Sequence, residues 1–249
     1  MKVHFKKFRC IKAAQFFCLL FAALMLTVSV TTGSAVTASD REIIRGFNLT
    51  VFGAEYALFG IQSRYIRKFR GPVRFHIENL SQRSRSRDVR RFILSLNNTI
   101  NGLETRIVSS ARQANFVVYI VDRKDYTDVV RNKVYRRPNA SAPGKCLVRS
   151  VFSRQGIIRS DAVIVSDGGN RLFRRCMIEE ILQGLGPLNE HPSLYKSVFN
   201  DRSRQTEFTR FDRYILNMLY DSRIRVGASI ENVQSLLPTV LRDVKRRIR

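Results

Sequence analysis

Glu179-Glu180-Ile181-Leu182-Gln183-Gly184-Leu185-Gly186-Pro187-Leu188-Asn189 is the stretch on which the reading of the fold turns. With Phe173 and Ile178 before it, its apolar residues Ile181, Leu182 and Leu185 recur at helical spacing, and Gly186-Pro187 stops the helix sharply. Glu179 and Gln183 stand four apart, so one helical face carries both, with Glu180 beside them. Each residue alone is ordinary: acids near a helix start complement its positive end, and Gly, Pro and Asn end helices. Their joint spacing is what carries information.

Working outward, Asp167, Gly168, Gly169 and Asn170 end a strand and open this helix. Two strands, Cys146 to Phe152 and Ile157 to Val165, precede it, joined as a hairpin at Arg154, Gln155 and Gly156. Ala114 to Asp122 is a buried strand, because Phe116, Val117, Val118, Tyr119, Ile120 and Val121 run on without polar alternation. Pro72 to Glu78 alternates Val73, Phe75 and Ile77 with Arg74 and His76, a strand with one covered face. Between these strands, Val89, Phe92, Ile93, Leu96 and Ile100 mark an amphipathic helix stopped by Gly102. Upstream, Ile43, Ile44, Phe47, Val51 and Phe52 suggest another helix. The segment from Arg123 to Lys145 has no sustained pattern and reads as a long surface loop. Downstream, Phe208, Phe211, Ile215, Met218 and Leu219 mark a helix, and residues 230–249 form a last, basic one interrupted by Pro238. Strands crossed by a helix and followed by a helical C-terminal half make an α+β fold with a mixed sheet.

The quoted spacing resembles that of metzincin-type zinc peptidases. There, two histidines one turn apart on a helix grip the metal and the Glu after the first polarises the attacking water. A glycine seven residues after the first ligand turns the chain toward a third ligand. Laid on this chain, the ligand positions are Glu179, Gln183 and Asn189, the general base is Glu180 and the turning glycine is Gly186. The frame is kept and all three histidines are gone. The resemblance runs from about Pro72 to Gly227, including Phe211-Asp212-Arg213-Tyr214, and implies a zincin-like scaffold with a degenerate centre. The same string, with Ser197 to Asp201 and Asp212 to Leu219, resembles a family of exported bacterial proteins of unknown function, whose pattern has Asn-Asp where this chain has Asn189-Glu190.

Composition sets the compartment. Five basic residues in Met1 to Lys12 precede an apolar run at 13–30, then small residues to Ala38, so 1–38 reads as a cleavable signal peptide. The alternative is an inner-membrane anchor at 13–30. Residues 39–249 then form a single domain with its core at about 72–227, exported to the periplasm or outside the cell. Of a formal net charge of +24, removal of the leader's five cations leaves +19. Such a surface favours anionic lipids, envelope polymers or acidic partners, and export argues against nucleic acid. Cys146 and Cys176 alone remain outside the leader, most simply as one disulfide. Only His76 and His191 remain as well, so a three-histidine site cannot be built.

The reading that follows is a non-catalytic binding protein of the cell envelope, able to hold an extended peptide along a sheet edge, with no cofactor expected. The alternatives are two. One is a metal-dependent hydrolase with Glu180 as base and a divalent ion held by Glu179, Gln183 and one of Asn189, Glu190 or His191; such an oxygen-rich set suits calcium or magnesium better than zinc. The other is an electrostatic binder of anionic surfaces, acting through Ser84 to Arg91 and the tail Lys245 to Arg249.

Overall fold

Six β-forming residues in a row make the central strand β3 (Phe116–Val121), and all six are buried. Phe116, Val118 and Ile120 point into one apolar layer, and Val117, Tyr119 and Val121 into another. The structure, a computed structural model, describes residues 38–52 and 64–248; the expected leader, apart from its last residue Ala38, lies outside them. In chain order the elements are α1 (Asp40–Val51), β1 (Val73–Asn79), α2 (Ser86–Thr99), β2 (Thr105–Ile107), β3, the short turn α3 (Tyr126–Val129), β4 (Cys146–Ser153), β5 (Gly156–Val165), α4 (Asn170–Gln183), α5 (Arg210–Tyr220), α6 (Ile230–Gln234) and α7 (Leu237–Arg247).

The five strands form one mixed sheet in the order β2-β1-β3-β5-β4. All neighbours are parallel except the β4–β5 hairpin, which is antiparallel and leaves β4 at the edge. The α+β architecture with a mixed sheet therefore stands as read. One face of the sheet carries the larger core, where α2 packs Val89, Ile93 and Leu96 and α4 packs Phe173, Ile178, Ile181 and Leu182. Further helices close this core through Ile43, Phe47, Ile215, Leu219, Val240 and Leu241. The other face is covered by Tyr126, Val129, Val130 and Val134.

Three elements differ from expectation. Residues 123–135 are not loop but successive tight turns, a 3-10 turn at Arg123–Asp125, α3, and a π turn at Val130–Tyr135. They wind because the second sheet face must be covered and their four apolar side chains do it. β2 went unseen because it is three residues long with only Thr105 buried, and its parallel pairing to β1 supplies what local pattern does not. Pro238 does not interrupt the last helix; it sits in the first turn of α7, where no N–H donor is needed, and the break falls before it.

Candidate functional site

Helix α4 is buried on all sides from Cys176 to Gln183, which makes its polar residues informative. Glu179, Glu180 and Gln183 are 4%, 5% and 4% exposed. Its end lies hard on the sheet: a side chain at Gly184 would come within 2.4 Å of the Phe116 ring, and the Ser160 hydroxyl donates to the Gly184 carbonyl at 2.8 Å. The chain then leaves through Gly186 at φ 145°, with Arg67 O 2.5 Å from where a Cβ would stand. Only glycine fits there.

A groove of about 310 Å³ runs between this helix and the start of the edge strand. One wall is Pro143 to Val148, leading into and forming the first residues of β4. The other is Arg175, Glu179, Glu180 and Gln183 of α4, closed over by Glu190 and Asp201 from the loop beyond. Four carboxylates thus face two cations, Lys145 and Arg175, on a chain whose cations outnumber its acids 44 to 20. The Cys146–Cys176 disulfide joins the two walls, as the cysteine count suggested.

The polar residues are tied together. Arg175 donates to Glu179 Oε1 at 2.8 Å, one turn along the helix, and the two side chains are 17% and 5% exposed. The same guanidinium donates to the carbonyls of Asn200 at 3.1 Å and Ser203 at 2.9 Å, and so carries the loop bearing Asp201 onto α4. The Gln183 amide donates to Glu190 Oε1 at 2.7 Å. Oxygens of Glu179, Glu190 and Asp201 lie within 4.8 Å of one another. Oxygens of Glu179 and Glu180 lie equally close to Cys146 Sγ, whose bond to Cys176 removes it as a thiolate ligand.

The structure therefore gathers Glu179, Glu180 and Gln183, with Glu190, but does not bring Asn189 among them. Asn189 turns to the end of α1, where its Nδ2 donates to Leu49 O at 2.7 Å and its backbone N–H to Thr50 O at 3.2 Å. The last carbonyls of a helix lack partners within it, and Asn189 satisfies two. His191 is likewise apart, its Nδ1 2.8 Å from the Ser193 hydroxyl. Asp201 and Arg175 were not singled out from sequence. Arg175 stands four residues before Glu179, the helical ion-pair spacing, and that signal was available.

Among the described residues no helix is long and apolar enough to cross a membrane. No curated protein matches the chain. Residues 40–239, most of the chain, match the model of the family described as "Protein of unknown function (DUF2927)", and the protein belongs to that family.

Proposed function

We propose that the protein is an exported, non-catalytic binding protein that holds an extended polypeptide in the groove between β4 and α4, on a zincin-like scaffold whose metal grip has been dismantled. The observation that carries this reading is the fate of the three ligand positions. Glu179 is engaged by Arg175, Gln183 by Glu190, and Asn189 by the end of α1. Around them the helix, its glycine exit and the strand edge needed to receive a peptide are all kept. β4 is last in the sheet, so one row of its backbone groups has no strand beside it among the described residues, and a peptide can add there as a further strand. The disulfide supports export, since such bonds persist in oxidising compartments.

The test is a pool of random eight-residue peptides offered to the purified protein, with bound peptides identified by mass. Retention of intact peptides, lost when Val148→Pro blocks the strand edge, supports the reading. Cleaved peptides, or none retained, reject it.

A second reading has one observation behind it, the approach of Glu179, Glu190 and Asp201 oxygens. These could hold calcium or magnesium, with Glu180 adjacent as base. A thermal shift on adding either ion that disappears in Glu190→Gln favours this hydrolase reading; no shift removes it. A third reading is the electrostatic one: in the tail Lys245 pairs with Asp40, Arg246 with Asp243 and Arg247 with Asp221, but these are surface pairs that leave the cations open to an anionic surface. The exposed arginines 87 and 90 at the start of α2 are likewise open to an anionic surface.

A further inference from the structure

The disulfide occupies an unusual place for a mere staple. Cys146 is the first residue of the edge strand, and Cys176 is in α4 one turn before Glu179 and Glu180. The bond therefore ties the strand a ligand would pair with to the helix that forms the opposite wall. Its two ends are held very differently. Cys176 is fully buried in the main core. Cys146 is half-buried, lines the groove, and follows residues 136–145, which are irregular and mostly exposed. That segment is held by Tyr126 Oη donating to Pro143 O at 2.7 Å, Arg131 Nε to Ala140 O at 3.1 Å and the Arg137 N–H to Arg131 O at 2.9 Å, with Ala142 against the second core. Beyond it, β4 pairs with β5 along its length, so the sheet does not depend on the bond. Cys146 Sγ also lies within 4.8 Å of carboxylate oxygens of both Glu179 and Glu180, so a ligand filling the pocket covers the sulfur.

We propose that Cys146–Cys176 is a redox clamp on the groove: oxidised, it holds the β4 edge at the width that admits an extended peptide, and reduced, it releases the start of β4 so that docking is lost. This rests on the groove being a peptide site. The reductant is a dithiol. One of its thiolates attacks Cys146 Sγ, the sulfur reachable from the groove, forming a mixed disulfide and expelling Cys176 as a thiolate that takes a proton. The second dithiol sulfur closes on the first and frees Cys146. Two electrons and two protons pass from the dithiol to the cysteine pair. Because coupling between sites is reciprocal, a peptide that binds the oxidised form more tightly must make the disulfide harder to reduce by the same factor. A tenfold preference corresponds to about 30 mV in potential.

The experiment compares the full protein, oxidised and dithiol-reduced, by amide hydrogen exchange and by binding of the eight-residue peptide pool. On reduction, exchange at 143–150 is expected to rise at least tenfold more than exchange of β3. Pool binding is expected to weaken at least tenfold, and bound peptide to slow reduction of the oxidised form. Unchanged exchange at 143–150, or equal pool binding to both forms, overturns the clamp. Exchange of β3 that rises as much as exchange at 143–150 also overturns it, by showing a structural staple. If the pool binds neither form, the peptide reading fails, and the exchange measurement still decides whether the bond clamps the groove.

Discussion

Replacing Gly186 by alanine tests the frame on which the site is built. At φ 145° an L-residue is strained, at a cost of about 1–2 kcal/mol for leaving the region open to side chains. The added Cβ would stand 2.5 Å from Arg67 O and 2.7 Å from Leu219 Cδ2. The first contact is backbone and cannot rotate away, and overpacking of this kind costs about 1–3 kcal/mol. Together Gly186→Ala should destabilise by about 2–5 kcal/mol, read as a fall in urea midpoint at constant slope. Gly71→Ala is the control, because nothing lies within 4 Å of its Cβ, and a change within about 0.5 kcal/mol is expected. If Gly186→Ala also falls within about 0.5 kcal/mol of the parent, the close exit from α4 is wrong.

Other outcomes follow from the same contacts. Arg175→Met removes the guanidinium from buried Glu179 and from the carbonyls of Asn200 and Ser203; urea unfolding should show a loss of about 3 kcal/mol, and exchange should rise at 200–203. Reduction of the disulfide, which spans 30 residues of sequence, should lower stability by about 3–4 kcal/mol through chain entropy alone. Asp221 accepts from Arg223 at 2.8 and 2.9 Å and from Arg247 at 3.2 Å, and the Arg223 guanidinium holds its carboxyl down to about 2 from 3.8. A depressed carboxyl stabilises the fold above its ordinary value, so this contribution should be complete above pH 4 and lost as pH falls through about 2. Asp221→Asn should flatten that part of a stability titration; an unchanged profile would show that the pairs contribute nothing.

The sheet was legible where burial imposed a pattern. β3 is covered on both faces and reads as unbroken β-formers, and β1 is covered on one and alternates. β2 and the turns at 123–135 were not, because their conformation is fixed by a neighbouring strand and by an apolar face, not by their own periodicity. The site divides in the same way. Glu179, Glu180, Gln183 and Gly186 lie within two helical turns, and helix geometry alone puts them together. Asn189 could not be placed, since after Gly186 its course is set by the open carbonyls of α1, some 140 residues earlier in the chain. Asp201 reaches the groove on a loop whose carbonyls at Asn200 and Ser203 are held by Arg175. Such long-range hydrogen bonds leave no local trace.

The central claim is that the groove beside β4 binds polypeptide without cutting it. Peptide pools incubated with the oxidised protein, with and without added zinc, calcium or magnesium, and weighed by mass spectrometry after capture, test this most directly. The account predicts captured peptides of unchanged mass under every condition, with capture abolished by Val148→Pro. Shortened peptides that depend on a metal and on Glu180, or no capture at all, would contradict it.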